Sequence, residues 1–182
     1  MSMVESQPVS ERYRLFVVMG VAGCGKTTIG NELGNTIGGT FLDGDSFHPE
    51  SNIRKMSDGV PLTDEDRWPW LDRFSLEIAK RDGLVFGGCS SLKRSYRDRI
   101  RDGAGEPVLF IYLDGSRQLI SSRMSARTGH FMPTSLLDSQ FEALQVPGSD
   151  ESAIAVDISG TTEEIVRLIT TALQGKLQPQ SD

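Results

Sequence analysis

Residues 20 to 28 read Gly20-Val21-Ala22-Gly23-Cys24-Gly25-Lys26-Thr27-Thr28, and Gly20 to Thr27 form a complete G-x-x-x-x-G-K-T phosphate loop. Glycines let backbone N–H groups turn inward around phosphate oxygens, the Lys26 ammonium reaches the β and γ positions, and the Thr27 hydroxyl takes a place on Mg²⁺. The apolar run Leu15 to Met19 precedes the loop and a helical pattern follows it, the strand and helix that the motif requires. Gly20 to Thr28 are therefore expected to hold a nucleoside triphosphate, with Mg²⁺ as its companion ion.

A second group of residues stands where an acceptor would lie. Phe41-Leu42-Asp43-Gly44-Asp45 ends an apolar segment with two carboxylates. Asp43 suits a metal ion, directly or through water, and Asp45 suits the proton of an attacking hydroxyl. The competing reading is an Asp-bearing turn. Val108 to Asp114 also ends an apolar run in aspartate, but no second acid follows, and Asp114 is expected to cap the next helix instead. Lys93 and Arg97 are four apart, on one helical face, where an ammonium and a guanidinium could receive a carboxylate; the alternative is a solvated basic face shared with Arg94, Arg99 and Arg101. Arg123 and Arg127 repeat that spacing and could close over the triphosphate, stabilising charge on the transferring group, or could be exposed helix charges.

His48 and His130 are candidates for hydrogen bonds to a polar substrate or plain packing residues, and neither has metal-ligand spacing with a cysteine. Trp68 and Trp70 read as insert core rather than a stacking platform. Cys24 lies near a helix N-terminus, where the dipole favours thiolate, which would make it redox-sensitive and protected by ATP.

These residues must be held by five apolar runs bounded by turn residues: Leu15 to Met19, Thr40 to Leu42, Leu84 to Phe86, Val108 to Leu113 and Ala153 to Ile158. Continuous apolar character marks strands of a parallel sheet covered on both faces. Helical repeats lie between them: Ile29, Leu33 and Ile37 stop at Gly38-Gly39, Leu92, Tyr96 and Ile100 stop at Asp102-Gly103, and a Thr161/Glu164 capping box opens Ile165, Ile169 and Leu173. The expected fold is α/β, a five-stranded parallel sheet flanked by helices, with ligands at the carboxyl ends of the strands. Two longer segments, about 46–81 and about 121–147, read as a substrate-binding insert and a lid.

At 182 residues the chain fits one domain, expected over 13–174, with a loose leader at 1–12 and a loose tail at 175–182. A net charge of −6 argues against nucleic-acid binding, no run approaches a membrane span, and Cys24 and Cys89 alone make no disulfide framework, which fits a reducing compartment. A GTP switch would need an N-K-x-D element, which the chain lacks. A motor-type ATPase would need the acidic pair missing after Val108 to Leu113. A shikimate-kinase-like or nucleotide kinase, and a non-enzymatic nucleotide-binding regulator, are the remaining alternatives.

The ordered set Phe41-Leu42-Asp43-Gly44-Asp45-x-x-His48-Pro49, Asn52-Ile53-x-Lys55-Met56, Pro61-Leu62-Thr63-Asp64-x-Asp66-Arg67-x-Pro69-Trp70-Leu71, Cys89-Ser90-Ser91-Leu92-Lys93-x-x-Tyr96-Arg97-Asp98 and Arg127-x-Gly129-His130-Phe131, behind the phosphate loop, resembles gluconokinase of the small P-loop type. The resemblance implies a nucleoside-monophosphate-kinase-like fold and transfer of the ATP γ-phosphoryl to the 6-hydroxyl of D-gluconate, giving the pentose phosphate intermediate 6-phosphogluconate. It implies a cytoplasmic, often dimeric enzyme. Carried over by position, Lys26, Asp45, Arg123 and Arg127 would be catalytic, Thr27 and Asp43 would serve the metal, and Asp45, His48, Arg54, Lys93, Arg97 and His130 would contact the sugar acid. Two places depart from the family's pattern. Gln145-Val146-Pro147 stands where relatives carry a glutamate before the proline, so it is assigned no role. Gly87-Gly88 stands where bulkier residues are expected, which would widen the strand end.

Overall fold

The computed structural model describes residues 12–127 and 134–179. Among them are the five expected strands: β1 (Leu15–Met19), β2 (Thr40–Asp43), β3 (Val85–Gly88), β4 (Val108–Asp114) and β5 (Ala153–Asp157), all parallel, in the order β2-β3-β1-β4-β5. Alternation of side chains across each strand sends Phe16 and Val18 to one face and Leu15, Val17 and Met19 to the other, and all five are buried. Helices α1 (Lys26–Ile37) and α7 (Thr162–Leu173) cover the first face with Ile29, Leu33, Ile165, Ile169 and Leu173. Helices α3 (Asp64–Lys80) and α4 (Arg94–Ala104) cover the second with Leu71, Phe74, Ile78, Tyr96 and Ile100.

The insert consists of the end of a 3₁₀ turn over Gly44–Phe47, α2 (Glu50–Ser57) and all of α3. A capping box starts α3: Thr63 Oγ1 accepts from the Asp66 N–H, and the Asp66 carboxylate accepts from the Thr63 N–H. Within the second insert, α5 (Arg117–Ser125) and α6 (Thr134–Ala143) flank a segment outside the described residues that includes Gly129, His130 and Phe131.

Four expectations are corrected by local packing. Asp114 does not cap α5. Ser116 does, accepting from the Leu119 N–H, while the Asp114 carboxylate takes the Tyr112 hydroxyl at 3.3 Å. Helix α4 runs through Gly103 and stops at Gly105, whose left-handed φ of 68° ends it. Gly103 is instead the point of closest approach to α3, since a Cβ there would lie 2.1 Å from Ser75 Oγ. The tail is not loose throughout, because Tyr13 donates to Lys176 O at 2.6 Å and accepts from the Gln178 N–H at 2.9 Å. Nor does Gly87-Gly88 widen the end of β3. A Cβ on Gly87 would sit 2.6 Å from the Phe74 ring, and one on Gly88 would sit 3.1 Å from the Phe41 ring, so aromatic side chains from neighbouring elements fill the space.

That filling gives a stability test. Gly87→Ala is expected to destabilise the protein by roughly 1–3 kcal/mol in urea unfolding through overpacking against Phe74. Adding Phe74→Leu should recover part of the loss. Equal stability of Gly87→Ala and the unaltered protein would show that the ring does not hold that space.

Candidate active site

Parallel order brings the chemistry to one edge. The phosphate loop follows β1 and the acidic turn follows β2, with β3 between them. In register, Val18 aligns with Gly88 and Gly88 with Asp43, so the two groups stand about 10 Å apart, two strand spacings. Positive φ at Gly20 (147°), Gly23 (79°) and Gly25 (97°) bends the loop. Gly23 is constrained twice, because a Cβ there would also lie 2.6 Å from the Met124 side chain of α5. Lys26 Nζ donates to Gly20 O and Val21 O, both at 3.1 Å, which holds the ammonium over the loop.

Beside the loop lies a cleft of about 280 Å³ lined by Gly23, Cys24, Gly25, Thr28, Arg123, Arg127 and the Gly160–Thr162 turn before α7. Arg123 and Arg127 thus come together at the nucleotide side. Arg123 Nη2 donates to Gly160 O at 3.1 Å, and Arg127 is exposed. Cys24 is buried, and burial raises its thiol pKa despite the neighbouring Lys26 charge. The expected thiolate is therefore not favoured: the cost of desolvating the charge outweighs the helix terminus.

Across β3, Asp43 caps the 3₁₀ turn by accepting the Asp45 N–H at 3.0 Å. The Asp45 carboxylate is 88% exposed and lies 4.0 Å from His48 Nε2. The His48 ring stacks on Trp70 at 4.0 Å between centroids, and Trp70 Nε1 donates to Gly44 O at 2.8 Å, locking the wall behind the acidic turn. Asn52 Nδ2 approaches His48 Nδ1 at 3.3 Å and donates to Asp66 O. With Nδ1 accepting, the neutral ring carries its proton on Nε2, toward Asp45. Desolvation lowers the His48 pKa and Arg67 lowers it further, against the opposing pull of Asp45. Trp70 is thus both core and platform.

Lys93 and Arg97 are not brought together. Lys93 is the N-cap of α4, in extended conformation (φ −95°, ψ 147°), so the helical i, i+4 relation does not apply to it. Its Nζ donates to Asp64 at 3.1 Å and lies 5.5 Å from the Tyr96 ring, while the Tyr96 hydroxyl donates to the same carboxylate at 2.5 Å. Arg67 faces the other side of this group, 3.9 Å from Asp64 and 5.5 Å from the Tyr96 ring. Hydrogen bonds from Tyr96 and Lys93 hold the Asp64 pKa low. Arg67, Asp64 and Tyr96 are site residues that spacing did not isolate. The signal was the Thr63-x-x-Asp66 box, which starts a helix and turns Asp64 and Arg67 toward α4.

Arg97 is fully buried. Its Nε and Nη2 donate to Glu151 at 2.7 and 2.9 Å, and its Nη1 donates to Ser91 O at 2.9 Å and Leu92 O at 3.3 Å. The expected carboxylate contact is corrected, since Arg97 already holds an internal carboxylate. Arg54 is exposed and pairs with Glu50 on its own helix, away from the Lys93 group's contacts. His130 lies outside the described residues. Gln145, assigned nothing, donates its N–H to Leu92 O at 2.8 Å and accepts the Arg94 N–H on Oε1 at 2.8 Å, filling the end of α4 that Lys93 leaves uncapped.

Among the described residues no cluster of three or more His, Cys, Asp or Glu could cage a metal, and no helix is long and apolar enough to cross a membrane. Mg²⁺ needs no such cage: it is typically held by one or two carboxylates plus substrate phosphates and water. Asp43, with only one oxygen engaged in the cap, and Thr27 at the start of α1 fit that pattern.

The Arg97–Glu151 pair generates a test. The guanidinium holds the Glu151 pKa down to about 2, against an ordinary 4.5. Its contribution to stability is complete above pH 4.5 and is lost as pH falls through about 2. Glu151→Gln, which leaves Arg97 buried and unpaired, should cost roughly 3–5 kcal/mol in urea unfolding at neutral pH. The acid limb of stability between those pH values should also flatten. A change below roughly 1 kcal/mol would free Arg97 for a substrate role.

Comparison with known proteins places the chain among small phosphate-loop kinases. The shikimate kinase family profile matches residues 22–174. The thermosensitive gluconokinase of Escherichia coli K12 is 45% identical over 170 residues, covering 89% of this chain and 90% of that protein. The gluconokinase of Gluconobacter oxydans is 47% identical, covering 79% and 82% respectively. A crystal structure of a gluconokinase from Sinorhizobium meliloti 1021 superposes with a TM-score of 0.80 at 46% identity, covering 91% of this chain and 93% of that one. Shikimate kinase from Aquifex aeolicus, at 14% identity and a TM-score of 0.56, shares the fold.

Proposed function

The chain belongs to the gluconokinase family, and from that premise we propose that it transfers the γ-phosphoryl of ATP to the 6-hydroxyl of D-gluconate. The observation that carries this reading is the acceptor side. Lys93, Arg67, Tyr96 and Asp64 form one group after β3, Asp45 and His48 form another after β2, and Arg67 lies close enough to His48 to lower its pKa. A linear polyhydroxy acid meets cations suited to its carboxylate at one end and a carboxylate suited to its far hydroxyl at the other.

Loop N–H groups from Gly23 to Thr28 and the Lys26 ammonium neutralise the phosphates, and Thr27 and Asp43 would hold Mg²⁺, which would supply further charge neutralisation at the phosphoryl oxygens. Asp45 orients the acceptor hydroxyl and receives its proton, with the Nε2 proton of His48 toward its carboxylate. Arg123 fixes the turn before α7 on the nucleotide side, and Arg127, which lines the same cleft, answers charge on the transferring group. Phosphoryl transfer passes through a loose transition state, so positioning and charge matter more here than the base strength of Asp45. We take the enzyme to act in the cytoplasm. The shikimate kinase profile favours a second reading, in which another hydroxylated carboxylate, shikimate, is the acceptor.

A coupled ADP-release assay across gluconate, shikimate, other sugar acids and nucleoside monophosphates tests this. Gluconate should give the largest stimulation of ATP turnover. Stimulation by another acceptor with none from gluconate would refute it. Lys26→Ala should lower kcat by at least about 10²-fold, whereas Lys93→Ala should mainly raise the gluconate KM. An unchanged gluconate KM in Lys93→Ala would remove that residue from the site.

A further inference from the structure

Gln140, on α6, reaches the phosphate loop across 118 residues of sequence, where its Oε1 accepts the Ala22 N–H at 2.6 Å. Phosphate-loop N–H groups are the seats of phosphate oxygens. A side-chain carbonyl fixed on one of them removes it from that service, so the contact must act on the loop in another way.

The geometry of the peptide shows how. Ala22 N–H and Val21 C=O are opposite ends of one planar unit and, in a trans peptide, point in opposite directions. Gln140 holds the N–H end, and the carbonyl end accepts Lys26 Nζ at 3.1 Å. The plane of this peptide turns about ψ of Val21 and φ of Ala22, and the Val21 carbonyl also accepts the Cys24 N–H at 3.3 Å, so Gln140 and Cys24 grip the peptide from opposite ends. A rotation would turn the Val21 carbonyl away from the ammonium and remove one of the two acceptors, Gly20 O and Val21 O, that hold Lys26 over the loop.

The gripping residue is itself anchored. Leu137, one turn before Gln140, is buried in the core. The chain after α6 is fastened to the start of α4, because Gln145 bonds Leu92 O and the Arg94 N–H on either side of Lys93, and Glu151 holds Arg97. Residues 140–151 therefore form a strap from the phosphate loop to the element that carries Lys93.

We propose that Gln140 is a positioning residue that acts through the Val21–Ala22 peptide to fix the Lys26 ammonium, and so ties the phosphate lysine to the acceptor-side strap. The inference rests on the triphosphate reading of the loop and is independent of which acceptor is used. Lys26 reads the outer phosphates, so loss of its placement weakens a triphosphate more than a diphosphate.

The test is a calorimetric titration with the β,γ-imido analogue of ATP and with ADP, both with Mg²⁺. Gln140→Met keeps length and packing but removes the acceptor. It should lower the triphosphate-to-diphosphate affinity ratio by about tenfold, the worth of one hydrogen bond to a charged site's support. In a Lys26→Ala background, Gln140→Met should change that ratio no further. Gln140→Ser serves as a second variant, and thermal unfolding of each reports the fold separately. An unaltered ratio in both variants, or the same factor lost with and without Lys26, would overturn the assignment. A merely structural role would lower unfolding temperature and weaken both nucleotides alike, which also counts against it. Failure of gluconate to be phosphorylated would count against the proposed acceptor and leave this result untouched.

Discussion

Because all five strands run in the same direction, every loop that leaves a carboxyl end emerges at the same edge, and the site depends on that one consequence of parallel pairing. The phosphate loop, the acidic turn at Asp43 to Asp45, Ser90 to Lys93 and the turn before α7 come from four different strands, yet parallel pairing brings them to one edge, where the Gly20 N–H also donates to Ser90 O at 3.2 Å. The constraint has a cost, since β3 must pass between the two chemical halves while packed by helices on its flanks. Gly87 and Gly88 meet it by leaving room for Phe74 and Phe41, so that the glycines serve packing and not an enlarged pocket.

The two halves are then held by polar contacts of different kinds. On the acceptor side an aspartate is shared by a lysine, a tyrosine and an arginine at its margin, so Asp64 sets where those donors point. Behind them Arg97 and Glu151 are buried together, with the remaining guanidinium donors on backbone carbonyls, which is the condition under which a buried ion pair is tolerated. That pair anchors the strap after α6. On the nucleotide side the contacts are to backbone: Lys26 on the loop's carbonyls, Gln140 on its N–H, and Arg123 on Gly160 O.

Strands, helices and the phosphate loop were legible in the sequence because each rests on a local rule: continuous apolar runs, a helical repeat, a capping box, a fixed glycine spacing. Local rules failed where tertiary contacts decided. Gly103 reads as a helix stop but is a contact between α3 and α4. Asp114 reads as a cap but loses that place to Ser116. Lys93 and Arg97 read as one basic face, yet a helix start falls between them and sends one to Asp64 and the other into the core. Arg67 through Tyr96, Asp64 through Lys93 and Gln140 through Ala22 act across 29 to 118 residues, separations at which no spacing rule operates. Cys24 illustrates the same limit, since its burial, invisible in the sequence, overrides the helix terminus that favoured thiolate.

The proposed reaction is regiochemical: with the acceptor's carboxylate at the Lys93 side, its far hydroxyl would be the one presented at Asp45. Phosphorus–proton correlation NMR of the purified reaction product tests this directly. The expected result is a single phosphorus signal coupled to the methylene protons of the terminal carbon of gluconate. A signal coupled instead to a ring or chain methine, or to an anomeric or carboxyl-derived position, would contradict it.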